Sequence, residues 1–170
     1  MAVPRNIALL RGINLGSKRR VAMADLRALL EELGYADVRT VLASGNAIFT
    51  GRASRKQLED ALQERFGMKI DVVLRTMDEL RAVIASDPFG EVVDNPTRYF
   101  VVFLDREPQL DSLEGEDFAP DQFKVNGKEI YAWCPEGMQN SRLMKALGKP
   151  GLGAGTATVR NWATVNKLVD

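Results

Sequence analysis

Hydrophobic residues fall into two periods along this chain, and the switches between them outline its elements. Ile7, Ala8, Leu9 and Leu10 form an unbroken apolar run. That is the pattern of a strand covered on both faces, and therefore central in its sheet. Leu26, Leu29, Leu30 and Leu33 then recur at helical spacing and stop at Gly34, a residue suited to a left-handed C′ position. Residues 38–43 and 47–49 predict two strands joined at Ser44-Gly45-Asn46, with one long strand bulged at Gly45 as the alternative. Ser54 is a candidate N-cap, with Gln57 completing a capping box, for a helix running to Phe66. A strand over 70–74 follows. Residues 5–75 thus read strand, helix, strand, strand, helix, strand, the order of a ferredoxin-like unit with both helices on one sheet face. One more helix is expected at 78–86.

The second half has a similar rhythm. A strand is predicted over 99–104, an acidic helix over 110–118, and a hairpin of 123–125 with 129–133 that turns at Asn126-Gly127. A helix over 141–147 turns Leu143, Met144 and Leu147 inward. The glycine-rich run 148–155 is a loop. A last helix is predicted over 158–169, with Val159, Trp162, Val165 and Val169 on one stripe. The class is α+β: a ferredoxin-like βαββαβ N-terminal unit over 1–86, a connection over 87–97 rich in turn residues, and a second βαββα unit with a C-terminal helix over 98–170. The two halves share no repeat that is visible in sequence.

Four phrases, LLRGINLGSK, MADLRALLEELG, SGNAIF and TVRNWATVNKL, together resemble the uncharacterised family called domain of unknown function 1697. The resemblance spans essentially the whole chain. It implies an α+β protein built of ferredoxin-like βαβ parts, and it carries no reaction. Chemistry has to come from the residues.

Composition narrows that chemistry. The chain has 170 residues, 45% of them hydrophobic, enough for one sizeable core or two small ones. No signal peptide or membrane span is visible, so a soluble cytoplasmic protein without a membrane role is expected. The single cysteine excludes an internal disulfide. Histidine is absent altogether, which removes the usual general base, the Ser-His and Cys-His pairs and nearly every zinc site. No cofactor or metal is called for.

Charge sums to zero but is segregated. Residues 1–24 and 138–169 each carry five bases and no acid, whereas 25–137 carry 13 bases and 22 acids. Such asymmetry points to an anionic partner, although local pairing of basic ends with an acidic middle would also account for it. The first basic segment follows the central strand: Arg11, Gly12, Asn14, Gly16, Ser17, Lys18 and Arg20 combine glycines that allow close backbone approach with cations that attract phosphate or carboxylate. It is not a P-loop, because its glycines are three residues apart and its order is Gly-Ser-Lys. The expected site joins these residues with Arg142, Lys145, Arg160 and Asn161 of the second basic segment around one anionic ligand. Ser44 and Asn46 read as turn chemistry or as further ligand contacts.

Other groups have plainer readings. Asp105 and Glu107 after the strand at 99–104 could be metal carboxylates of a nucleotidyl- or phosphoryl-transferring site, or a solvated turn. Asp25 offsets a helix dipole. Cys134 has no histidine to activate it and reads as inert. Tyr99 and Tyr131 read as packing residues whose hydroxyls reach water. The preferred function is binding of a phosphate-bearing small molecule such as a nucleotide. RNA binding is the alternative, weakened by zero net charge and by the lack of an aromatic between Met1 and Tyr35.

Overall fold

A computed structural model describes residues 3–148 and 155–169. The chain divides into two compact units, Met1–Ala82 with Lys167–Asp170, and Val83–Asn166. The protein is a mixed α+β structure whose described residues form two four-stranded antiparallel sheets and five α-helices.

In the first unit, β1 (Arg5–Leu10) is central, paired antiparallel with β3 (Asn46–Thr50) on one side and β4 (Val72–Thr76) on the other. β2 (Ala36–Thr40) lies at the edge beyond β3, giving the order β2-β3-β1-β4. The unbroken apolar run of β1 has the expected cause. Ala8 and Leu10 face a core completed by Ala47, Phe49 and Val72 and by Leu26, Leu29 and Leu30 of α1 (Met23–Glu32) and Leu58 and Leu62 of α2 (Arg55–Phe66). Ile7 and Leu9 on the opposite side are buried as well. The N-cap at Ser54 and the stop at Gly34 form as read, but the capping box does not, because the Gln57 side chain accepts from the Tyr35 hydroxyl. Ser54 accepts from the Gln57 amide at 3.1 Å, and Gly34 takes the left-handed conformation at φ +95°. α3 (Met77–Ala85) begins on a capping box that the sequence reading missed: Thr76 Oγ1 accepts from the Glu79 amide, and Glu79 Oε1 accepts from the Thr76 amide.

The second unit repeats this plan of strands. β5 (Tyr99–Leu104) is central, between β7 (Glu129–Trp133) and β8 (Ala157–Asn161), with β6 (Gln122–Asn126) at the edge, in the order β6-β7-β5-β8. Ile130, Ala132 and Cys134 turn to the core with Leu143, Met144 and Leu147 of α4 (Arg142–Leu147), as alternation predicts. α5 is Trp162–Lys167.

Two predicted elements are corrected here. The helix expected over 158–169 is a strand followed by a helix of six residues. The Val159, Trp162, Val165 stripe was real as spacing. The open edge of β5 nevertheless offered five Cα pairings, from Phe100↔Asn161 to Leu104↔Ala157, and the β-branched residues Thr158 and Val159 took them. The acidic helix expected over 110–118 shrinks to one 3-10 turn, Asp111–Leu113, because Gly115 at φ +78° breaks the backbone while Leu113 and Phe118 still reach the core. The second unit therefore has four strands, not the three of βαββα. Residues 149–154 of the glycine-rich run expected to be a loop lie outside the described residues.

The repetition extends to single bonds. Leu10 N–H donates to the Gly45 carbonyl and Arg11 N–H to that of Asp71; likewise Leu104 N–H donates to the Lys128 carbonyl and Asp105 N–H to that of Thr156. Arg75 opposite Ile7 and Arg160 opposite Val101 are both buried at the fourth position of the last strand. Thr76 and Asn161 both end that strand and cap the next helix, at the amides of Glu79 and Thr164. The registers match although the side chains differ, so the periodicity was not legible in sequence.

Candidate functional site

The loop 11–20 leaves the C-terminal end of β1, and its shape comes from left-handed residues: Gly12 at φ +66°, Asn14 at +55°, Gly16 at +86° and Arg19 at +55°. Asn14 is tolerated there because its side chain closes the loop on itself. Its Nδ2 donates to the Val21 carbonyl at 2.9 Å and to the Ala43 carbonyl at 2.7 Å, while its Oδ1 accepts from the Val21 amide at 2.8 Å. The Asn14 amide also reaches the Arg19 carbonyl at 3.0 Å. One side chain thus ties the basic loop both to its own exit and to the β2–β3 turn. Arg19, which the sequence reading left out of the site, is the second tie: its Nε donates to the Gly12 carbonyl and its Nη2 to the Lys69 carbonyl. Nothing in the sequence marks it off from Lys18 and Arg20.

With Asn14 and Arg19 serving the scaffold, the apex remains. Among the described residues, the amides of Gly16 and Ser17 donate to no other group, the Lys18 amide closes a turn over Gly16 and Ser17, and neither the Ser17 hydroxyl nor the Lys18 ammonium has a partner. Arg20 donates to the Gly16 carbonyl at 3.0 Å and has no acid beside it. Arg11, at the loop's start, lies 3.9 Å from Asp71 Oδ2, the outer limit of an ion pair, and its side chain is 55% exposed. Free N–H groups beside cations are chemically able to accept an anionic oxygen.

Most of the remaining sequence candidates serve the fold. Asn46 is fully buried and its Nδ2 donates to the Val41 carbonyl at 2.6 Å and to Ser44 Oγ at 3.0 Å, so both residues shape the turn. In the second unit, Arg142 is exposed, donates to the Asp117 carbonyl at 3.1 Å and stacks over the Phe118 ring at 5.6 Å, while Lys145 is exposed on α4. Arg160 is buried, with Nη1 on Thr158 Oγ1 and the Val159 carbonyl. Burial pulls its pKa down to about 10, which leaves it charged at neutral pH. Asn161 Oδ1 caps α5 through the Thr164 amide at 2.9 Å.

Asp105 is committed as well. Its Oδ1 accepts from the Gly155 amide at 2.9 Å and its Oδ2 lies 3.5 Å from Arg106 Nη2. Among the described residues no three His, Cys, Asp or Glu side chains group as a metal site would require. Tyr99 and Tyr131 do not send their hydroxyls to water as expected: Tyr99 donates to Asp87 Oδ1 and Tyr131 to the Val83 carbonyl. Burial is the main cause that raises both pKa values, that of Tyr131 to about 12.

Cys134 is fully buried, 3.5 Å from Ser141 Oγ. Burial pushes its thiol up to about 11 against the opposing bond to Ser141. At pH 8 it is therefore protonated, and alkylation by iodoacetamide is expected to be at least about tenfold slower in the native protein than after denaturation. Mass spectrometry of timed aliquots checks this; equal rates would place the thiol outside the core.

Leu42 in the β2–β3 turn is a further outlier, a leucine at φ +61° with 49% of its surface exposed. Its side chain gains little there and its backbone is strained by roughly 1 kcal/mol or more. Leu42→Gly is expected to raise the Tm by about 2–4 °C, measurable by calorimetry.

The fold and loop belong to a class of proteins with no reaction attached. The family described as "protein of unknown function (DUF1697)" matches residues 3–131, and the chain belongs to that family. No curated protein matches it. Among solved structures it is similar to a conserved bacterial protein from Streptococcus pneumoniae, with 26% identity, a TM-score of 0.75 and coverage of 98% of this chain and 97% of that one.

Proposed function

We propose that the loop 11–20 binds a phosphate-bearing anionic ligand, a nucleotide or similar small molecule, and that the protein acts as a binding protein. The observation that carries this reading is the apex of the loop, where the amides of Gly16 and Ser17, the Ser17 hydroxyl and the Lys18 ammonium have no partner while Asn14 and Arg19 hold them in place. The order β2-β3-β1-β4 with α1 and α2 packed on one core also supports a ferredoxin-like reading of the first unit. RNA-binding sheets of this kind use an open face on which bases stack. Here Ile7 and Leu9 on one side of β1 and Ala8 and Leu10 on the other are all buried, which favours the loop over the sheet as the binding element.

Thermal unfolding in inorganic phosphate, ATP and a sugar phosphate tests the reading. A rise in Tm is expected with at least one of them, about 2–4 °C for each kcal/mol of binding energy, and Lys18→Ala is expected to abolish most of it without lowering the Tm of the free protein. A rise that survives both Lys18→Ala and Arg20→Ala would place the anion elsewhere. Tight binding of a short RNA with a steep dependence on salt would favour nucleic acid instead.

A further inference from the structure

The basic loop does not end in polar residues alone. Leu15 at its tip is 77% exposed, the most exposed large apolar side chain among the described residues. Leu42, the leucine in a left-handed backbone, stands on the neighbouring turn. The two turns are fastened together: the Asn14 side chain donates to the Ala43 carbonyl, Leu10 N–H donates to the Gly45 carbonyl, and Gly45 packs so closely on Ile13 and Leu10 that an added Cβ would lie 2.7 Å from Ile13 Cδ1 and 2.9 Å from Leu10 Cβ. Leu15 and Leu42 therefore lie, exposed, at one end of the first sheet on two turns joined by these bonds. The first of these turns also carries Arg11, Lys18, Arg19 and Arg20, and Arg19 donates to the Lys69 carbonyl. The acids nearby are Asp71, 3.9 Å from Arg11, and Asp25 in the first turn of α1; neither 11–20 nor 41–46 contains one.

Resting on the reading of this loop as a phosphate site, we propose that the phosphate it takes is the headgroup of an anionic phospholipid, and that Leu15 and Leu42 enter the acyl boundary beneath it. A free phosphate would account for the cations and the open amides, but it gives no use to two exposed leucines, one of them held in a strained backbone. Exposed apolar residues and cations on the same loop end suit interfacial binding, since each cation gains near an anionic surface and each apolar side chain gains on leaving water. Two leucines are too small a patch for a stable protein interface, which needs several hundred Å² from each partner. No helix among the described residues is long and apolar enough to cross a membrane, so the contact is peripheral, governed by charge and reversible in salt.

Co-sedimentation of the full chain with phosphatidylcholine vesicles, with and without phosphatidylserine, tests the proposal, run beside thermal shifts in inorganic phosphate and ATP. The wild type is expected to sediment with the anionic vesicles and not with phosphatidylcholine alone. The double variant Leu15→Ser, Leu42→Asn is expected to lose at least about tenfold in vesicle affinity while keeping its thermal shift in phosphate. Asn suits a left-handed residue, so the variant folds, and its Tm verifies that. Lys18→Ala with Arg20→Ala is expected to lose both responses. Thermal shifts without sedimentation would overturn the lipid assignment and leave the phosphate loop standing. Sedimentation unchanged in the leucine variant would overturn insertion, and the absence of both responses would overturn the two readings together.

Discussion

Gly45→Ala is expected to destabilise the protein by about 2–5 kcal/mol, against about 1–2 kcal/mol for Gly12→Ala. Both glycines are left-handed, at φ +96° and +66°, so a Cβ strains the backbone in each case. The surroundings separate them. A Cβ at Gly12 meets nothing within 4 Å, whereas one at Gly45 would sit 2.7 Å from Ile13 Cδ1 and 2.9 Å from Leu10 Cβ. The Ile13 methyl could swing aside, but Leu10 Cβ is fixed to the central strand, so β1 or the turn must shift. Because Leu10 N–H is bonded to the Gly45 carbonyl at 2.9 Å, such a shift stretches the pairing of β1 with β3 too. Chemical denaturation of the two variants gives the comparison; equal losses would mean that the turn relaxes freely and that the two loops are not locked together.

Asn14→Ala is expected to cost about 2–4 kcal/mol and to abolish the response to phosphate. The variant removes three hydrogen bonds to backbone groups, two through Nδ2 and one through Oδ1. It leaves the Val21 amide and carbonyl and the Ala43 carbonyl to find water or go unpaired, at about 0.5–1.5 kcal/mol for each bond, and it puts a β-carbon without compensating bonds at φ +55°. Asn14→Gly separates these two effects. It accepts the backbone conformation, so it recovers the strain but not the clamp. Partial recovery of stability with no recovery of phosphate binding is the expected pattern. Full recovery of binding in Asn14→Gly would show that the backbone shape suffices and that the tie to the β2–β3 turn is incidental to the site.

How far the sequence carried these conclusions depends on whether local or distant partners decide each element. The central position of β1 was legible because a strand buried on both faces has no polar alternation. The cap at Ser54 and the stop at Gly34 were legible because capping is a matter of the nearest three or four residues. The stretch 157–161 was not, because its helical spacing and its strand propensity were in conflict, and only the free edge of β5 decided between them. The short turn at 111–113 was missed for a related reason: Gly115 outweighed an apolar spacing that still placed Leu113 and Phe118 in the core.

The candidate site divides in the same way. Its location after β1, its glycines and its cations were all present in the sequence. Which of the cations are free was not, because Arg19 and Arg20 are identical neighbours and only the positions of the Gly12 and Lys69 carbonyls turn one into a brace. Asn46 and Arg160 looked like ligand contacts by type, and burial turns both of them to the fold.

By itself the sequence determined the class of fold, the central strand, most helix ends and the basic glycine loop, since each rests on periodicity or on residues within a few positions of one another. The tertiary structure alone decided the fourth strand of the second sheet, the matching registers of the two units, and which polar side chains at the loop remain available. Those outcomes depend on backbone groups brought together from 29 to 61 positions away, as in Asn14 with Ala43 or Phe100 with Asn161. A local pattern carries no information about a partner that distant, and the strongest propensity yields to it when an open hydrogen-bonding edge is at stake.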